Sequence, residues 1–361
     1  MRTRPKAIAF ILFVCLLVAS FAAGESRRDI NFPDILDYKT LKCDFHMHTV
    51  FSDGSVWPTV RVEEAWRDGL DAISITDHIE YLPHKKDVST NHNRPYEIAE
   101  GEAKGKNILL IKGAEITRDT PPGHFNAIFL TDANLPDTND FLDSIKAANE
   151  QKAFVFWNHP GWKPEAKGWF DIHTKLYENK WMKGIEVVNG DTYYQEAHQW
   201  AIEKNLTILG NSDIHAPMSE GISANVDHRP VTLVFAKAKS AEALKEALLD
   251  RRTAIWHGTQ LIGSEKYLNA IFKASVKVAK PHHRNKDTAW FEIKNTLGID
   301  IQMEKTGGGG PEKLTLPANS TTLIRSKAKD DAQELKLSYT VKNFLIAPEK
   351  GLPVELIVQL Q

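Results

Sequence analysis

The stretch LKCDFHMHTVFSDG, residues 41–54, starts as an apolar run and ends in two histidines one residue apart, with an aspartate five positions after the second. On a strand, side chains alternate between faces. Asp44, His46 and His48 then share one face, and Cys43, Phe45 and Met47 share the other. The second face suits packing beneath helices. The first is a row of polar groups at the end of a strand, which points to a ligand site more than to a surface.

The same kind of ending recurs along the chain. Short apolar runs at 72–78, 108–115, 153–159 and 207–213 close on Thr76-Asp77-His78, Glu115, Asn158-His159 and Asp213-Ile214-His215, and the run at 125–130 is preceded by His124. Further strand-like runs lie at 184–189 and 231–235. Helical spacing appears at 60–67 after Pro58, at 140–150 and at 241–249. Strand and helix in alternation predict a parallel, barrel-like α/β fold in which strand C-terminal ends converge on one face. Each histidine or carboxylate alone has an ordinary structural explanation. One shared metal site accounts for all of them. Imidazole nitrogens and carboxylate oxygens suit zinc, manganese or iron, and a set without cysteine excludes a thiolate site.

In order and combination, His46-x-His48, Ser52-Asp53-Gly54, Thr76-Asp77-His78, Gly113-x-Glu115, Gly123-His124, Asn158-His159-Pro160 and Ser212-Asp213-x-His215 resemble the motifs of the PHP (polymerase and histidinol phosphatase) family. The resemblance implies a distorted (β/α)7 TIM-like barrel and three divalent metals per chain. Carried over motif by motif, it gives His46, His48, Glu115 and Asp213 to a first metal. Glu115 bridges to a second, held also by His124 and His159. Asp53, His78 and His215 hold the third. Where some members have histidine, this chain has Asp53, which adds negative charge. Three divalent ions outweigh three carboxylates, so the filled site is positive and attracts an anionic phosphoester. The expected reaction is hydrolysis of a phosphodiester or monoester, with a metal-bridging hydroxide held by Glu115, near Asp213 and His215, attacking phosphorus.

Other residues carry weaker expectations. Arg118, Asn189 and Arg229 are candidates to hold substrate, against surface or turn-capping roles. Asp77 either orients an imidazole or caps a strand end. Trp157, Trp162 and Trp169 line the pocket or pack the core. His84, His92, His173, His198, His282 and His283 have no ligand-like company, and His257 reads as structural at a domain junction.

The 361 residues allow two domains, and a formal net charge of −2 gives no global field for nucleic acid or an anionic membrane. Arg2, Arg4 and Lys6 before an apolar run ending near Ala19, then small residues, predict a cleaved export signal over 1–23 and a periplasmic or extracellular protein with no stable membrane anchor. Of the two cysteines, Cys15 lies inside that segment, leaving Cys43 without a disulfide partner. After a linker at 24–40, the barrel occupies 41–262. From 263 to 361, alternating strand-like runs punctuated by Gly, Pro, Asn and Asp predict a small antiparallel β-sandwich domain, with 307–310 as a hairpin loop. LTLPANSTTLIR (314–325) and NFLIAPEKGLPVELIVQL (343–360) are similar to the all-β C-terminal domain of exported bacterial PHP phosphodiesterases of the Sb-PDE type. The rivals are a metal-dependent amidohydrolase, a nuclease, and a non-enzymatic metal- or phosphate-binding protein. Lys112 lies an odd number of positions from Glu115 and faces away, so no bridging lysine is expected.

Overall fold

A computed structural model describes residues 26–163, 167–221 and 228–361; the expected export segment at 1–23 lies outside the described residues. The first strand, β1 (Lys39–Asp44), pairs in parallel with β2 (Ala72–Ile75), and β2 pairs with β3 (Leu109–Ile116). Helices α1 (Pro58–Arg67) and α2 (Arg94–Gly105) make the first two crossovers. Pro at the first turn of each suits the missing N–H at that position. Strand β4 (Phe125–Ile128) runs antiparallel to both β3 and β5 (Phe154–Trp157). Helix α3 (Phe141–Glu150) leads into β5, its N-terminus capped by Asp140, whose side chain accepts from the Asp143 amide. After α4 (Asp171–Glu178), parallel pairing resumes: β5 with β6 (Gly184–Asn189), and β6 with β8 (Thr207–Asn211). The short β7 (Thr192–Tyr193) and α5 (Gln195–Lys204) lie between β6 and β8, and α6 (Met218–Gly221) follows β8.

The wall is completed by β9 (Val231–Ala236), antiparallel to β1. After α7 (Ala241–Leu249), β10 (Thr253–His257) and β11 (Gln260–Gly263) add two more antiparallel strands. Where β8 meets β9 and β10, Gly210 exchanges hydrogen bonds with the Thr232 hydroxyl. A Cβ at Gly210 would fall 2.3 Å from Ile255 Cγ2, so only glycine allows this approach. At the mouth the barrel is closed by the chain beyond β1 and β8. Asp213 N donates to His46 O, and His48 N donates to Ile214 O, around a Met47–Ile214 bridge.

Helix α8 (Glu265–Ser275) leads into the antiparallel C-terminal part. One sheet holds β12 (Val276–Val278), β13 (His283–Asn285), β14 (Thr288–Asn295) and β17 (Ser320–Lys327). The other holds β15 (Ile301–Gly308), β16 (Lys313–Leu316), β18 (Glu334–Ala347) and β19 (Lys350–Gln359). Phe291, Ile293 and Ile324 from the first meet Met303, Tyr339 and Val341 from the second in one buried cluster. The expected sandwich is present, but the hairpin turn falls at 309–312 and not 307–310, because Gly307 and Gly308 still pair with β18. The two parts share a sheet: β11 pairs in parallel with β18, Leu261 opposite Phe344 and Ile262 opposite Leu345. The core cluster likewise runs from Leu233 and Phe235 of the barrel through Leu268 to Leu356.

The expectation of a parallel barrel also needs correction: the barrel is not uniformly parallel, since β4 and β9 run against their neighbours. His124 precedes β4, as the sequence places it, and the reversed direction of that strand brings its start to the same mouth.

Candidate metal centre

His46 and His48 lie just beyond the end of β1, extended and entirely buried. Their Nε2 atoms approach within 3.1 Å of each other. Asp213 Oδ1 lies 3.1 Å from the first and 3.0 Å from the second. Glu115 Oε2 lies 3.4 Å from His46 Nε2 and 3.3 Å from His48 Nε2. A tetrahedral cation with bonds of about 2.0–2.1 Å spaces its donors about 3.4 Å apart. His46, His48 and Glu115 therefore converge as expected at the first metal, while Asp213, close to both imidazoles, shares a ligand group with His46 and His159 instead of with Glu115.

The remaining ligands extend from these groups. Glu115 Oε1 is 3.1 Å from His124 Nδ1 and 3.6 Å from His159 Nε2. His78 Nδ1 is 2.9 Å from Glu115 Oε2, and its Nε2 is 3.6 Å from Asp53 Oδ1. His215 Nε2 is 3.2 Å from the same Asp53 oxygen. All nine expected ligands thus meet in one cluster. It contains four overlapping groups with donor atoms within 4.8 Å of one another: His48, Asp53, His78 and His215; His46, His159 and Asp213; His46, His48 and Glu115; and His78, Glu115 and His124. The third expected set is brought together with His48 added. The second is divided, with His124 beside His78 and His159 beside His46 and Asp213.

Glu115 Oε2 tests whether the cluster suits cations. This atom is buried and accepts no hydrogen bond, although nitrogens of His46, His48 and His78 surround it at 2.9–3.4 Å. Leaving a carboxylate oxygen so placed is costly in a protein interior. Donors converging without hydrogen-bond geometry are what a shared cation requires, so the residues fit divalent metals. The backbone is strained here too: Asp213 has φ 52° and His159 φ 27°.

Electrostatics agree. Burial works to raise the Asp53, Glu115 and Asp213 carboxyls, but contact with imidazoles holds all three below the usual range: His215 and His78 at Asp53, His78 and His46 at Glu115, His46 and His48 at Asp213. Burial works to lower His78, yet Glu115 and Asp53 lift it to about 10. His48 is pushed down to about 3, by burial and by the neighbouring His78. The pocket is a fixed cluster of anions that stabilises positive charge.

A buried outer layer aims the ligands. Glu186, on β6, accepts from His46 Nδ1 at 2.9 Å, Asn211 Nδ2 at 2.9 Å, the His159 amide at 2.8 Å and Asn189 Nδ2 at 2.9 Å. The bond to Nδ1 turns the His46 Nε2 lone pair towards the centre. Sequence reasoning missed Glu186, although a carboxylate within the apolar run GIEVV was a signal. Asn189 also donates to Asp213 Oδ2 at 3.2 Å, so it positions a ligand. Asp77 does both things expected of it. It caps Thr49 N at 2.6 Å, and through Ser52 Oγ at 2.7 Å it reaches His48 Nδ1, 3.3 Å further on. A Cβ on Gly54 would lie 2.6 Å from His48 C, which keeps this loop tight against the ligand.

The arginines are placed otherwise than expected. Arg229 is buried, its Nη1 3.1 Å from Asp44 and its Nη2 2.6 Å from Asp68. Asp44 therefore faces Arg229 and Ser212, not the centre. Arg118 is held by Glu80 and by the Thr138 carbonyl at 2.9 Å. Trp157 is core, stacked on His173 at 3.8 Å and on Trp200 at 5.6 Å, with Trp169 beside it. Trp162 is half exposed and 5.7 Å from both the His124 and His159 rings, so it belongs to the rim. His257 ends β10 at the junction between the two parts, as expected.

A solved two-domain protein from Bacteroides vulgatus, described as containing a predicted PHP-like metal-dependent phosphoesterase, superposes with a TM-score of 0.88 at 44% identity. The match covers 93% of this chain and 100% of that one. The chain belongs to the PHP family. The PHP domain model matches residues 44–191, and an Ig-like domain model matches 276–357, the sandwich. An uncharacterized protein of Methanocaldococcus jannaschii is 36% identical over 83 residues, 22% of this chain. That match spans only 36% of the relative's length. PHP membership and the His/Asp/Glu cluster together point to a metal-dependent hydrolase with divalent ions.

Proposed function

We propose that this PHP protein hydrolyses phosphoesters, diesters before monoesters, at a centre of three divalent cations, with zinc, manganese or iron as the ions. The observation that carries the reading is Glu115 Oε2, buried, without a hydrogen bond and ringed by imidazole nitrogens. Divalent ions, when bound, supply Lewis acidity and bring water towards ionisation near neutral pH.

The chain's own residues do the rest. His46 and Glu115, with no exposed surface, form the dry floor. The His215 and Asp53 side chains, 39% and 24% exposed, form the open side from which an ester approaches. Arg118 and Arg229 are engaged with carboxylates, so recognition of the phosphoryl charge falls to the centre itself. A carboxylate-lined floor beneath a cation-dependent mouth suits an anionic ester better than a neutral amide. The amidohydrolase alternative loses support because Lys112 is exposed and donates to the Thr131 carbonyl.

The test is a panel of phosphate mono- and diesters and amides, assayed with metal-analysed protein. Phosphoester turnover that follows metal content and disappears in His46→Ala/His48→Ala supports the reading. Amide turnover without ester turnover, or full activity in metal-free protein, overturns it. We also propose that the protein acts outside the cytoplasm, on the strength of the charged and apolar N-terminal sequence. Recovery of the full-length product only in the cytosolic fraction would refute that.

A further inference from the structure

The groups described so far act at phosphorus. None of them selects the group beyond the ester oxygen. Directly after His159 the chain turns through Pro160 and Gly161, and a cavity of about 220 Å³ opens between this turn and the start of α5. Its walls include Pro160, Gly161, Gly168, Tyr194, Ala197 and Trp200. Ala197 is fully buried. The Trp200 ring is braced by its stack on Trp157, 5.6 Å apart and 9° from parallel, so this wall is stiff.

The cavity is next to the metal centre along the chain: Pro160, in its wall, directly follows His159. A Cβ on Gly161 would come within 2.9 Å of Tyr194 Cδ1, so the bare backbone of the His159 loop lies flat against the tyrosine ring. Burial, then the charges of Glu186 and Asp213, raise the Tyr194 phenol, which places that ring within the field of the ligand cluster. At the rim stands half-exposed Trp162, between the cavity loop and the His124 and His159 rings.

We propose that this cavity is the leaving-group subsite of the centre and that it takes a single aromatic ring, making phenol-sized aryl phosphoesters the preferred substrates. The proposal rests on the phosphoesterase reading above. Size decides the class. A cavity of about 150 Å³ holds benzene, so this one admits a substituted phenyl ring. It falls short of the ~300 Å³ at which sites for larger, drug-sized ligands begin. Lys167 and Glu196 also border it, but the two rings and the short apolar groups between them reward a flat apolar face. Hydrolysis there joins the oxygen of water to phosphorus, breaks the bond from phosphorus to the aryl oxygen, and releases the phenol with a proton from that water.

Binding separates this proposal from the catalytic reading. Phenylphosphonate and methylphosphonate, which cannot be hydrolysed at the P–C bond, are titrated calorimetrically into metal-replete protein. The expected result is tighter binding of the phenyl compound by about tenfold or more. That ratio falls in Trp200→Ala and in Tyr194→Ala, which each remove one ring from the cavity wall, with circular dichroism to confirm that the variants fold. Equal affinity for the two compounds, binding of neither, or a ratio that survives both substitutions overturns the subsite. A clear phenyl preference without turnover of any aryl phosphate overturns the phosphoesterase reading and leaves the ring subsite standing.

Discussion

At the scale of the residue, Glu186 is the clearest case of a side chain that acts through others. Its four bonds all come from N–H donors, so glutamine would set an NH2 group against donors on one side. Glu186→Gln is expected to lower metal affinity about 10–100-fold, measured by competition with a chromogenic chelator, while the fold persists by circular dichroism. Arg229 behaves differently. Removing it strands Asp44 in the interior, and breaking one side of such a pair costs about 3–5 kcal/mol. Arg229→Met should therefore lower the thermal midpoint of the protein. Were Arg229 a phosphate-gripping group, KM would rise and stability would hold. Most of the nine candidate ligands were legible in the sequence because they lie at or just past strand ends, where composition changes abruptly from apolar to ionisable; Asp53, in a turn, and His124, before a strand, were legible only through the family motifs. The partners of Arg229 were not. Asp44 and Asp68 are ordinary residues until the chain folds back 185 and 161 positions to meet them.

At the scale of the element, β4 shows what periodicity leaves open. An apolar run marks a strand but carries no sign of direction, and only the short connection from β3 hinted at reversal. The reversal matters because it lets His124 enter the site from the start of a strand. Helix α4 offers a test of local electrostatics. His173 on that helix accepts from the Phe170 amide at 3.1 Å, lies 2.8 Å from the Pro122 carbonyl and stacks on Trp157. Burial pushes it down to about 4. The unfolded chain, with an ordinary value near ~6.5, then binds the proton more tightly. Its contribution is intact above that value and is lost as pH falls towards 4. Between pH 7.5 and 5 the loss is about 2 kcal/mol. His173→Phe should weaken the protein at pH 7.5 but flatten that decline, as read from urea midpoints at the two pH values. An unchanged slope would exclude a buried neutral imidazole.

At the scale of the whole molecule, the two parts share one sheet and one core cluster. The change of texture near residue 263 was visible in the sequence. The β11–β18 pairing was not, since strands more than 80 residues apart become neighbours only through tertiary packing. Ending the chain after Gly263 would expose the edge of β11 together with Leu261 and Ile262, which are buried in the full protein. Unpaired apolar edges associate. The truncated barrel is expected to aggregate, by light scattering, and to unfold at a lower temperature than the intact protein; a soluble monomer of unchanged midpoint would refute the shared sheet as a stabilising feature.

The same continuity bears on any attachment at the far end of the chain. From β19 an unbroken series of hydrogen-bonded ladders runs through β18, β11, β10 and β9 to β1, the strand that ends just before His46 and His48. A pull on the C-terminus is met by backbone, not by a swivelling hinge, so anchoring the enzyme there loads the catalytic mouth, whereas anchoring it on an outer helix of the barrel does not.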